Sequence, residues 1–394
     1  MKKKVLFVID SLHSGGAEKS LVSLLSLFDY ENYDVDLMLY SHTGDFMNLI
    51  PDKVNLLKES DDYKTIRMPI SSIFKNHKYR LGIGRLLARK KAKGNGIAQM
   101  QYMWKYCLLY LPKIKKKYDV AISFLWPHYC VTEKVDADIK IGWIHTDYTK
   151  IDTDVEMDIK MWQKLDYIVA VSEECKNAFL MKYPNINKDI LVIENITSPE
   201  LIKKLSCEEV DDFKKDENSF NVLSVGRYSD AKGFDNAIKA LRILHDRGYK
   251  NIKWYVIGYG GEEEMYRKLI KENELENSFI LLGKRTNPYP YMKKCDLYAQ
   301  PSRYEGKAVT VGEAQILGKA VMITNYKTAK SQLNDSIDGY ITELSIEGIA
   351  DGIEKLYNDS ELRLRLEQNC LDSNYSNESE LDKLYKIING EGEK

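Results

Sequence analysis

The 394-residue chain has no long apolar run. Stretches such as "YCLLYL" at 106–111 fall far short of the roughly 20 residues that cross a bilayer, so no transmembrane helix is expected. The opening "MKKKVLFVID" is basic, but its apolar run is five residues long before Asp10, and no secretory leader is expected. Cysteine is sparse: Cys107, Cys130, Cys175, Cys207, Cys295 and Cys370 form no C-x-x-C and have no histidine at ligand spacing. That pattern argues against zinc and fits free thiols in a reducing cytoplasm. Fixed-period repeats and low-complexity tracts are also missing. So is the dinucleotide fingerprint. "GYGGEEE" (258–264) has Glu263 where the third glycine belongs, with acids where a phosphate would sit, which disfavours a dinucleotide-dependent oxidoreductase.

One absence is local. From Lys64 to Tyr118 there are fifteen Lys or Arg and no Asp or Glu, although the chain carries a net charge of −1. Such a field calls for an anionic partner: nucleic acid, an anionic membrane surface or a phosphorylated substrate. Within the block, "GRLLARKKAKGNG" and "YCLLYLPKIKKKY" mix cations with Leu and Tyr, and Trp104 lies between them. That composition suits an interface with anionic lipid. No nucleic-acid recognition motif accompanies the charge, so no nucleic-acid partner is expected.

What is present is alternation. "VLFVID", "VDLMLYS", "DVAISFL", "IKIGWIH", "YIVAVS" and "DILVIEN" are short apolar runs in the first half, several separated by helix-length patterns. "FNVLSVG", "IKWYVIG", "FILLG", "LYAQPS" and "AVMITN" repeat the scheme in the second, with helices expected near 233–247, 262–273 and 309–317. Short apolar strands alternating with helices predict parallel sheets covered on both faces. The strandless, charged stretch 199–219 is the expected interdomain connection. The fold class expected is α/β, with two doubly wound Rossmann-like domains facing across a cleft: residues 1–198, residues 199–375, and a helical tail at 376–394. Ligands of such sheets gather at the carboxyl ends of strands.

The candidate chemistry lies there. Gly15 and Gly16 follow the first strand and open a helix; they suit either close approach to an anion or an ordinary strand-to-helix turn. In "VGRYSDAKGF" (225–234) Arg227 and Lys232 flank a loop after a strand, a fork of donors and a mobile point charge that together suit a diphosphate. In "EGKAVTVGE" (305–313) Glu305 sits in a loop and Glu313 inside the following helix. Each carboxylate can accept two hydroxyl donors of a sugar, or be an ordinary surface acid. The backbone N–H groups of Lys307, Ala308 and Val309 would face a phosphate or sugar at the helix start. Asp34/Asp36, Asp136/Asp138 and Asp152/Asp154 each spell D-x-D; their positions fit chance in an acid-rich chain, and no metal is expected.

"GGAE", "VGRYSDAKGF", "VIGYGGEEE" and "EGKAVTVGEAQILGKAV", in this order and spacing, resemble the retaining GT-B glycosyltransferases of the glycogen-synthase-like group 1 type. The "EGK" variant of E-x(7)-E is similar to enzymes of bacterial capsule and exopolysaccharide clusters. The resemblance implies a GT-B fold whose C-terminal helix returns to the first domain, a nucleotide-sugar donor, UDP-linked before GDP-linked, no cofactor, and transfer of a hexose or N-acetylhexosamine to a lipid-diphosphate-linked glycan. By the same resemblance Gly15 and Gly16 approach the donor phosphates, and Arg227 and Lys232 neutralise the leaving diphosphate. Glu305, with Gly306, Lys307, Ala308 and Val309 after it, lies by the transferred sugar, and Glu313 holds the ribose. His145, at a strand end, contacts the donor sugar, and Lys284 and Arg285 are candidates for the nucleobase. Taken with the basic block, this gives an expected location at the inner face of the plasma membrane, cytoplasmic and peripheral. The alternative is a catalytically silent GT-B partner subunit, which loss of the cations or carboxylates would mark; none is lost.

Overall fold

The structure is a computed structural model that describes residues 2–13, 15–213, 218–306 and 308–391. It divides into two compact units, Met1–Ser198 with Asn377–Lys394, and Pro199–Ser376.

The first unit holds seven strands: β1 (Lys3–Ile9), β2 (Tyr33–Leu39), β3 (Asn55–Leu56), β4 (Lys117–Ser123), β5 (Asp136–Ile144), β6 (Tyr167–Ala170) and β7 (Ile190–Val192). They form one sheet in the order β3-β2-β1-β4-β5-β6-β7, with parallel pairing throughout. Val5 pairs with Val35 on one side and Val120 on the other. The run Val5–Ile9 is wholly buried, as expected for a strand covered on both faces. The chain leaves β1 toward β2, then returns to the other side at β4, so the topological switch point lies at the ends of β1 and β4.

Between β3 and β4 the basic block folds into helices Ile70–Lys75, Tyr79–Ala92 and Gly96–Cys107. Trp104 does not belong to an exposed surface: it is 1% exposed, its ring 5.5 Å from Tyr40 and 6.1 Å from Tyr129. An indole is too large an apolar area to leave in water when a core is within reach. The cationic field is also partly neutralised by acids outside the block. Lys64 pairs with Glu59, Arg67 with Asp10, Lys78 with Asp62, Lys116 with Asp36 and Lys117 with Asp138.

The C-terminal helix Ser379–Asn389 packs on this first unit. Its Leu381, Leu384, Ile387 and Ile388 recur at helical spacing and are buried. Tyr385 stacks on Tyr33 at 5.2 Å, and its hydroxyl accepts the Asp29 N–H at 2.8 Å.

The second unit is built on β8 (Phe220–Val225), β9 (Ile252–Ile257), β10 (Phe279–Gly283), β11 (Leu297–Gln300), β12 (Val321–Thr324) and β13 (Tyr340–Thr342). Their order is β10-β9-β8-β11-β12-β13, again parallel. Here the switch point falls between β8 and β11. The stretch expected as the interdomain connection begins with the helix Pro199–Leu205, whose Ile202 and Leu205 are buried and whose Leu205 carbonyl accepts from Asn287 at 2.8 Å.

Candidate active site at the switch point of the second sheet

Two loops meet at the ends of β8 and β11. Gly233 has φ +65°, and a Cβ there would lie 2.1 Å from the Pro301 carbonyl oxygen, so only glycine lets the loops touch. The Arg303 N–H donates to the Ala231 carbonyl at 2.8 Å. Its guanidinium forks onto Asp235 (2.8 and 2.6 Å) and reaches the Asp230 carbonyl (2.7 Å). This bidentate clamp fixes one loop against the other.

The clamp delivers Lys232 to Glu305, Nζ to Oε1, at 2.6 Å. The same Oε1 accepts from Ser302 Oγ at 2.6 Å and Gln300 Nε2 at 3.1 Å. The Tyr298 hydroxyl orients Gln300 by donating to its Oε1 at 2.9 Å. Thr328 Oγ1 donates to the Glu305 carbonyl at 2.8 Å. Every bond to the carboxylate falls on Oε1; Oε2 has none among the described residues. Lys232 and Glu305 side chains are 21% and 11% exposed. Withdrawing both charges from water costs about as much as their attraction returns, so the pair is weak evidence of a stabilising role.

Arg227 follows β8 directly, is exposed, and forms no ion pair among the described residues. Its loop is backed by the "GYGG" segment: Tyr228 N–H bonds the Tyr259 carbonyl at 2.9 Å, and a Cβ on Gly258 would lie 1.9 Å from the Gly226 oxygen. The glycines that fail as a dinucleotide fingerprint thus permit two loops to pack.

After Glu305 and the exposed Gly306, the helix Val309–Ile316 begins. Lys307 lies outside the described residues. The Ala308 N–H donates to Gln332 Oε1 at 2.8 Å, and Val309 is 48% exposed. Glu313 is 2% exposed and accepts from the Tyr289 hydroxyl at 3.2 Å. Lys284 and Arg285 diverge. Lys284 Nζ lies 5.7 Å from the Tyr259 ring centroid, whereas the Arg285 guanidinium is paired with Asp212 and bonded to the Tyr291 hydroxyl at 3.0 Å.

The remaining candidates belong to the first unit. Gly15 caps the helix Gly16–Ser26 in extended conformation, and the Glu18 carboxylate folds back so closely that a Cβ on Gly15 would lie 2.2 Å from Oε2. Burial holds the Glu18 carboxyl above its ordinary range. Gly16 has open space around it. His145 follows β5, with its ring 4.7 Å from Phe124. Burial pushes its imidazole down to about 4, so it is neutral at neutral pH. Its Nε2 is buried with no partner among the described residues, a donor or acceptor of the kind a ligand satisfies. Four of the six D-x-D acids have structural engagements. Asp36 accepts from Lys116, Tyr118 and Asn55, Asp138 pairs with Lys117, Asp152 accepts from Asn95, and Asp154 caps the helix Val155–Trp162.

Residues missed in the sequence are Gln300, Ser302, Arg303 and Asp235. The available signal was a polar Gln at the end of the otherwise apolar, fully buried β11, since buried polar groups are the informative exception.

Residues 208–371, the span that carries this loop pair, match the family model described as glycosyl transferases group 1. Over that span the chain is similar to this family. An uncharacterized glycosyltransferase of Methanocaldococcus jannaschii is 31% identical over 208 residues, covering 52% of this chain and 52% of the relative. In Campylobacter jejuni, an N-acetylgalactosamine-N,N'-diacetylbacillosaminyl-diphospho-undecaprenol 4-alpha-N-acetylgalactosaminyltransferase is 32% identical over 144 residues, 36% of this chain and 38% of the relative. The match to these curated relatives thus spans about half of their length or less. Among solved structures, Anabaena HepE in complex with UDP and glucose superposes with a TM-score of 0.60 at 17% identity, over 98% of this chain and 99% of that one. The chain has the GT-B fold, two Rossmann-like units with parallel sheets.

Proposed function

We propose that the protein is a retaining, metal-independent glycosyltransferase. It moves a hexose or N-acetylhexosamine from a UDP-sugar to a lipid-diphosphate-linked glycan in bacterial surface polysaccharide synthesis. The observation that carries the reading is the Lys232–Glu305 contact at the switch point, with Arg227 exposed on the same loop and without an ion pair among the described residues. Departure of a nucleoside diphosphate from the anomeric carbon develops negative charge on the phosphate. Arg227 and Lys232 supply fixed positive charge there, which is preorganised electrostatic stabilisation. Glu305 Oε2 is directed to the hexose hydroxyls and Glu313 to the ribose. The acceptor hydroxyl attacks the anomeric carbon on the face the diphosphate leaves, and its proton passes to the departing phosphate oxygen. The UDP bound in HepE supports the donor class, and the diphospho-undecaprenol in the name of the Campylobacter relative supports the acceptor class.

The test is transfer from a panel of UDP-sugars to an undecaprenyl-diphosphate-linked acceptor in the presence of EDTA, with the product's anomeric configuration assigned by NMR. A product of retained configuration is expected. Inversion, dependence on divalent metal, or no transfer from any donor would each overturn the corresponding part of the reading.

A further inference from the structure

The helix Tyr79–Ala92 faces the wrong way for a globular core. It buries its small residues: Gly82 lies against the Phe74 ring, where a Cβ would be 2.8 Å away, and Gly84 against Cys107 Sγ, at 2.7 Å. Ala88 and Ala92 are buried beside them. Leu81 is buried too, but the helix's other large apolar side chains point outward, with Tyr79 and Ile83 53% exposed and Leu86 and Leu87 46% and 47%. Positions 79, 83, 86, 87 and 90 share one helical face. Arg80 reaches over the Tyr110 ring at 5.6 Å, joining this face to Tyr110 and to Leu109, which is 82% exposed. Single exposed aliphatics need no explanation, but a contiguous apolar patch marks an interaction surface.

Charge identifies the partner. Among the described residues, the ion-paired cations of the basic block are Lys64, Arg67, Lys78, Lys116 and Lys117, all outside the helix Tyr79–Ala92. Arg80, Arg89, Lys90, Lys91 and Lys93 are exposed, with no ion pair among the described residues. Cations around an apolar face, with no acid from 64 to 118, complement an anionic bilayer, whose headgroups take the charge while the aliphatic groups enter the acyl boundary. A second copy of this chain would bring the same cations together.

We propose that this face docks on anionic phospholipid. The surface is tied to the carboxyl end of the first sheet: Arg67 pairs with Asp10 just after β1, and Trp104 packs on Tyr40 just after β2. On the reading of a lipid-linked acceptor, docking brings that acceptor to the edge of the sheet where Gly15 and His145 lie.

The test is co-sedimentation of the full chain, without nucleotide, with vesicles of phosphatidylcholine alone or mixed with phosphatidylglycerol. Three forms are compared: the unaltered protein, an Ile83→Ser/Leu86→Ser/Leu87→Ser variant, and an Arg89→Gln/Lys90→Gln/Lys91→Gln variant. The unaltered protein should sediment with the anionic vesicles only, and less at high salt. The charge variant should lose about fivefold in partition for each cation removed, and the serine variant should lose binding at either salt concentration. Both variants should keep the parent's melting temperature and its response to UDP, so a failed UDP response with intact vesicle binding counts against the proposed function and not against the docking surface. The proposal is overturned if the parent stays in solution with anionic vesicles. It is equally overturned if both variants sediment like the parent, or if the serine changes convert a dimer to a monomer without lipid.

Discussion

Gln300 Nε2 lies 3.1 Å from Glu305 Oε1, and together with Ser302 and Lys232 it leaves the second carboxylate oxygen, Oε2, without a hydrogen bond among the described residues. A carboxylate held by one oxygen and open at the other is fixed in direction. That makes Gln300 and Ser302 positioning residues for Glu305, whose proposed role toward the sugar depends on its aim.

Gln300→Leu removes this support and leaves the buried Tyr298 hydroxyl without its acceptor. A stability loss of about 1–3 kcal/mol is expected in chemical denaturation. Turnover should drop, by up to about a hundredfold for a misplaced group, while UDP binding by calorimetry stays near that of the parent. Ser302→Ala provides the milder control, with the same split between turnover and binding. Equal turnover in both variants would mean Glu305 needs no support.

Glu313 is buried at 2% exposure, with Tyr289 donating to it at 3.2 Å. If it accepts ribose hydroxyls, Glu313→Gln replaces charged acceptors by a neutral amide. Bonds to charged groups contribute about 1.5–3 kcal/mol, so UDP affinity should fall roughly tenfold to a hundredfold. Uracil alone, which has no ribose, should bind neither better nor worse.

The legibility of the fold followed strand length. Runs such as Val5–Ile9 and Phe279–Gly283 are apolar over their whole length and stand out. β3 and β13, of two and three residues, have no period to detect. The tail was seen as helical and polar, but its buried stripe of Leu381, Leu384, Ile387 and Ile388 shows only when spacing is weighed above composition. In the site, Arg227, Lys232 and Glu305 were legible because each follows a strand. The Arg303–Asp235 clamp was not, because its partners are 68 residues apart and no local pattern links them. The basic block overstated the charge field, since pairing with Asp10, Asp36, Glu59, Asp62 and Asp138 is invisible along the chain.

Acid should weaken the first unit. Burial lowers the imidazole of His145 to about 4 and that of His128 to about 3, from an ordinary 6.5. Between these values the unfolded chain binds more protons than the folded one, so stability rises with pH across the window. The contribution is complete above about 6.5 and is lost as pH falls toward 4 and then 3. Hydrogen exchange of first-unit amides at pH 7 and pH 5 should show this decline, and His145→Gln should make it shallower. An unchanged slope in the variant would mean His145 is not buried as a neutral ring.

The account rests on Lys232 and Glu305 forming a seat for a nucleoside diphosphate sugar. Calorimetric titration of UDP into the parent and into Lys232→Met tests it most directly, because Ser302 and Gln300 still hold Glu305 when the ammonium is gone. The account predicts tight binding to the parent and a loss of about tenfold or more in the variant, as expected for a charge-assisted phosphate contact. Equal UDP affinity in the two proteins would contradict it.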